Sequence, residues 1–206
     1  VSPVYKLSAS SIKGRTNYGS MLAGNAAYVD PGDFESIATT TVGAGGQATI
    51  SFTSLPTDYQ HLQIRFSARE ESGGASNAGQ QLAVRFNSDS GDNYSLHRLF
   101  GNGATVSNDA YISTITSIRV AGLNGSTSTA NAFSGGIIDI LDYRNTNKRK
   151  TVRSLAGTDL NDTNGFIFLS SGCWENTAAI TSITITSNAS VDFNQYSCFA
   201  LYGIKG

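Results

Sequence analysis

The sequence predicts an all-β protein: a single antiparallel β-sandwich of jelly-roll type, preceded by an extended N-terminal arm. Three observations point to it. From about residue 34 onward, apolar and polar residues alternate with a period of two, as strands with one buried face require. No segment keeps an i, i+3, i+4, i+7 apolar stripe over three turns, so helices are not expected. The breaks between alternating segments are rich in Asn, Asp, Gly and Ser, the residues that tolerate turn geometry.

Residues 1–33 form the arm and 34–206 the sandwich. Ser8–Gly14 and Gly19–Asn25 are small, polar and glycine-rich, with isolated apolar side chains. Such a segment cannot bury enough surface alone to offset its conformational entropy. Residues 1–29 carry Lys6, Lys13 and Arg15 and no acid, a charge of +3 against −4 for the rest. A basic arm ahead of a mildly acidic body suggests docking on an acidic partner surface. Lys6, Lys13 and Arg15 would supply the charge, and Tyr18, Met21 and Leu22 the apolar contacts. A solvated tail with three chance charges is the competing reading.

In Ala48–Phe52 the apolar side chains occupy the even positions. Leu62–Ala68, Leu82–Phe86 and Ile183–Thr186 follow similar alternations. Ile137–Tyr143, Thr151–Ala156 and Gly165–Ser170 also read as strands. Their apolar residues fill both parities, which predicts cover on both faces. Cys198–Tyr202 is an apolar run, with Cys198 read as a small core residue. About nine or ten strands are expected. Asn87–Asn93 is a dense turn cluster, Asn124-Gly125 and Asn164-Gly165 are hairpin signals, and Asp142–Lys148 reads as a loop.

Signals for chemistry are sparse. The two histidines, His61 and His97, accompany no Gly-x-Ser-x-Gly turn and read as structural or surface residues. Asp139 and Asp142 lie on opposite parities of a strand and should not converge. Cys173 and Cys198 form no CxxC and read as free thiols. Asn87, Asp89 and Asp92 with Gly91 vaguely resemble a calcium loop but lack its spacing, so a simple turn is expected and no metal is assigned. The cluster Arg144, Lys148, Arg149, Lys150 and Arg153 has no interleaved aromatics, and net charge is −1, so nucleic acid is not an expected partner. No apolar run approaches the ~18 residues of a membrane span. Trp174 with Glu175 is the one candidate surface contact, because an exposed indole stacks on sugar faces; plain packing is its competing reading.

Several segments together carry a family likeness. They are Ser36–Gly43, Ala48–Pro56, Tyr59–Arg65, Val84–Tyr94, Ile138–Tyr143 with Asn145–Lys148, Ala178–Ile185 and Phe199–Lys205. Across residues 34–206 the chain resembles a widespread family of tailed-bacteriophage virion proteins, found in marine and cyanobacterial phages. The resemblance implies a non-enzymatic structural role without cofactors. The expected partners are other virion proteins, either the major capsid protein or tail components. It further implies assembly in the host cytoplasm into the virion. The expectation is a capsid decoration (cement) protein, as a homotrimer held to the shell by its arm. The alternative is a tail-fibre or receptor-binding component that contacts host glycans.

Overall fold

A computed structural model of the chain describes residues 33–73, 80–160 and 165–206. Among them are twelve strands: β1 (Phe34–Thr41), β2 (Thr49–Phe52), β3 (His61–Ala68), β4 (Gln81–Phe86), β5 (Tyr94–Gly101), β6 (Val106–Ile115), β7 (Ile118–Gly122), β8 (Ser134–Leu141), β9 (Lys150–Thr158), β10 (Phe166–Trp174), β11 (Ile183–Ser187) and β12 (Cys198–Ile204). They form two antiparallel sheets, an eight-stranded one ordered β1-β12-β3-β8-β9-β10-β5-β6 and a four-stranded one ordered β2-β11-β4-β7. The all-β sandwich predicted from sequence is what the chain forms.

Setting aside the hairpins β5–β6 and β9–β10 leaves two four-stranded sheets, β1-β12-β3-β8 and β2-β11-β4-β7. This is the strand order of a jelly roll, in which the chain crosses repeatedly between sheets. The two hairpins are insertions into that plan. They pair with each other through β10 and β5 and extend the larger sheet beyond β8.

Period-two alternation builds the core between the sheets. Leu62, Ile64 and Phe66 of β3, Ile138 and Ile140 of β8, and Phe199 and Leu201 of β12 face Ile50, Val84, Ile183 and Ile185 of the smaller sheet. The inserted strands add Tyr94, Leu96, Val152, Phe168 and Trp174 to the same core. Close sheet contact is secured at Gly172, where an added Cβ would stand 2.4 Å from Cγ2 of Ile118.

Two buried cations fix loops at the ends of the sandwich. The Arg69 guanidinium donates to the carbonyls of Ser126, Ser128, Thr129 and Ala132, gripping the β7–β8 connection. The fully buried Lys150 ammonium donates to the carbonyls of Asn145, Lys148 and Thr177. Desolvation lowers the pKa of both groups.

Some expectations change. Among the described residues there are twelve strands where nine or ten were expected, because β1, β5, β6 and β7 lack a clean alternation. Asn124 heads no two-residue hairpin. It is fully buried, and its Nδ2 donates to the Ala132 carbonyl and to Oγ1 of Thr158. Asn164 lies outside the described residues. The strand read as Ile137–Tyr143 ends at Leu141, where Asp142 turns the chain with φ of 46°. Cys198 is half-buried on the outward parity of β12, opposite to Phe199, so it is not a core residue.

Candidate docking face

The inserted hairpins make one surface of this protein unusual. In β8, β9 and β10 the aliphatics of both parities are real, but only one parity is covered. Leu62, Ile64 and Phe66 lie under the second sheet, whereas the opposite face of the eight-stranded sheet is open among the described residues.

The register aligns its side chains into rows. Arg65 of β3 pairs with Ile137, Ile137 with Leu155, Leu155 with Leu169, Leu169 with Leu99 and Leu99 with Asn108. Four adjacent strands therefore present a continuous aliphatic ridge. Leu155 and Leu169 are each 54% exposed, and Ile167, Ile112 and Val106 stand further out at 59%, 67% and 75%. Of these large exposed aliphatics only Ile137 belongs to the jelly-roll strands; the others lie on β5, β6, β9 and β10. Contiguous apolar patches of this kind mark interaction sites far more often than scattered surface leucines do.

Different rows flank the ridge on its two sides. One runs Gly135, Gly157, Ile167, Gly101, Val106 and forms a low shelf with few side chains. The other is polar and runs Gln63, Asp139, Arg153, Ser171, His97, Ala110. Gln63 donates to Asp139 at 2.8 Å, while Arg153 is exposed and has no ion-pair partner among the described residues. A shallow depression between ridge and polar row is bounded by His97, Leu99, Asn108, Arg153, Leu169 and Ser171. At the β1 end, Phe34 stacks on Tyr202 at 4.8 Å and the Arg65 guanidinium lies 5.2 Å from the Phe34 ring centre. The face thus extends to β1, the first of the described strands.

The sequence-predicted contacts fall elsewhere. Lys6, Lys13, Arg15, Tyr18, Met21 and Leu22 lie outside the described residues. Trp174 offers no stacking platform, because it is 1% exposed and packs against Phe86 and Tyr94. Its position on β10 explains this: it shares the inward parity with Phe168, Ser170 and Gly172. Glu175 is half-buried, accepts from Oγ of Ser113 at 2.6 Å and pairs with Arg149 at 3.3 Å.

The turn at Asn87–Asn93 is closed by protein groups. Asp89 accepts from the Gly91 amide, from Nδ2 of Asn93 and from Nε1 of Trp174. Every one of these donors occupies oxygen that a cation would need. Nδ1 of His61 accepts the Asp142 amide at 2.9 Å, a loop-fixing role, and His97 is exposed on the polar row. Both cysteines are unpaired. Among the described residues no cluster of three or more His, Cys, Asp or Glu is placed to hold a metal ion.

The cover on both faces expected for Ile137–Tyr143, Thr151–Ala156 and Gly165–Ser170 is not what the chain forms among the described residues: the second sheet lies on one side only, and Leu155, Ile167 and Leu169 are exposed. Comparison of the chain with protein-family models, with curated proteins and with solved structures finds no match in any of the three.

Proposed function

We propose that this chain is a non-enzymatic structural protein of a tailed-bacteriophage virion. In this reading it is a capsid decoration protein, seated on the shell through its basic arm and fixed laterally by protein–protein contact. The observation that supports it is the ridge Ile137, Leu155, Leu169, Leu99, carried almost entirely on strands added to the jelly-roll plan. An aliphatic, weakly charged sheet face suits a permanent protein contact, whose buried core is depleted in charge. It suits a sugar poorly, and the indole that motivated glycan contact is in the core.

Reversing the arm charges in the full chain (Lys6→Glu, Lys13→Glu, Arg15→Glu) tests the seating. The triple variant should lose binding to purified shells, and unchanged binding would reject the decoration role. Particles assembled without the protein separate the two locations. Fragile heads with normal adsorption support decoration, whereas sturdy heads that do not adsorb point to the tail.

A further inference from the structure

We infer that the open face of the eight-stranded sheet is covered by the same face of a second copy of this chain, about a two-fold axis parallel to the strands. The inference is independent of where in a particle the protein resides. The outward positions of β3, β8, β9, β10, β5 and β6 carry only three charged residues, Arg65, Asp139 and Arg153. That surface has no acidic surplus to attract the arm, whose charge is +3, so the arm is a poor cover for it.

The same charges are self-complementary. Asp139 and Arg153 are register partners on the adjacent strands β8 and β9, and so are Ile137 and Leu155 one row away. A two-fold axis running between β8 and β9 lays β9 of one copy over β8 of the other. Arg153 of each copy then meets Asp139 of its mate, and Leu155 of each meets Ile137. Leu169 falls over the aliphatic stem of Arg65, and Leu99 over Ala200 on the same row. Isologous contacts require this reciprocity, in which residue i meets j and j meets i. The within-chain register already supplies it.

The area is sufficient. The six strands that overlap about this axis, β12, β3, β8, β9, β10 and β5, at about 4.8 Å spacing make a face about 24 Å wide, and three to four rows about 7 Å apart make it about 20–25 Å long. The projected area is about 500–600 Å², and side-chain relief raises the accessible area toward the ~800 Å² per partner of a standard stable interface. The glycine shelf leaves room for the mate to approach without steric conflict.

The test is the mass of the full-length protein in solution, measured by sedimentation velocity across a concentration series. Wild type should run at twice the chain mass. Leu155→Lys should be monomeric at the same concentrations, and Arg153→Asp should weaken pairing by about tenfold or more by setting like charges face to face. Combining Asp139→Arg with Arg153→Asp should restore pairing to within about threefold of wild type, because a two-fold contact tolerates the swap. Since all these positions face outward, melting of the monomeric variants should match wild-type monomer. A wild type that is monomeric at every concentration overturns the inference and leaves the face to a different protein. A trimer, or a dimer indifferent to these substitutions, overturns it equally.

Discussion

Nε1 of Trp174 donates to Oδ2 of Asp89 at 2.8 Å, joining the last residue of β10 to the turn between β4 and β5. The Tyr94 hydroxyl donates to the Asp89 carbonyl at 3.1 Å, so an aromatic pair from two strands holds one loop. Trp174 is the chain's single tryptophan, which makes this junction a built-in reporter. Its fluorescence should be short-wavelength and protected from quenchers. Trp174→Phe should cost about 1–3 kcal/mol, from the lost hydrogen bond and the partly unfilled site, read as a shift in urea midpoint.

Acid should loosen the same junction. Hydrogen bonds from Trp174 first, then from the Gly91 amide and Asn93, hold the Asp89 pKa below the ordinary carboxylate value, against an opposing desolvation. A folded-state pKa lower than the unfolded one adds stability above about pH 4, and that stability is lost as pH falls through the folded value. The urea midpoint should therefore drop on acidification below about pH 4, with a shallower drop in Asp89→Asn. Asp142, lowered chiefly by Lys148 and Gln60, adds to the same slope. An identical slope in Asp89→Asn would contradict this account.

Lys150 should be intolerant of a neutral isostere. Lys150→Met leaves three main-chain carbonyls without their donor, and buried unsatisfied acceptors cost about 1–3 kcal/mol each before relaxation. A total loss of about 2–4 kcal/mol is expected by chemical denaturation. Hydrogen exchange should quicken first in the 142–149 loop.

Adjacent residues on β10 should behave oppositely. Phe168, 1% exposed, stacks on Phe100 and Phe166, and Phe168→Ala should cost about 3–5 kcal/mol. Leu169 points outward, and Leu169→Ser should change monomer stability by no more than about 0.5 kcal/mol. Thermal melts of dilute samples compare the two directly.

Gly172 and Gly43 form a matched pair of glycine tests. A Cβ at Gly172 would collide with Ile118, so Gly172→Ala should destabilise by about 1–3 kcal/mol. Nothing lies within 4 Å of a Cβ at Gly43. Gly43→Ala should be neutral or stabilising by up to about 1 kcal/mol, through the unfolded state.

Legibility in the sequence followed the simplicity of each strand's environment. β3 was plain because Leu62, Ile64, Phe66 and Ala68 face one core and Gln63 and Arg65 do not. β5 was not, because Arg98 breaks the alternation by pointing inward. There it is matched by Asp109 and the rings of Phe100, Tyr111 and Phe168, partners that only the fold brings together. β6 is exposed along most of its length, so no core wrote a pattern into it. Trp174 reads from sequence as a candidate surface contact, among the neighbours Gly, Cys, Glu and Asn; the parity of β10 instead places it in the core, and that parity depends on how far the strand runs. For the open face, the double parity of β9 and β10 predicts cover over Leu155 and Leu169, and both are exposed instead. Period alone does not reveal that the second sheet lies on one side only.

Arg69 grips the β7–β8 connection only through carbonyl oxygens. Every residue type supplies that oxygen, so the clasp is indifferent to the side chains it holds. The clasp therefore sets no requirement on side chains by itself, and identity matters in this segment only where something else uses it: the Ser126 hydroxyl donates to the Ser72 carbonyl, Ser128 is buried and Asn131 holds a φ of 62°. At exposed positions such as Thr127, Thr129 and Ala130, substitutions can rewrite the surface chemistry of this end of the sandwich while the main chain keeps its course.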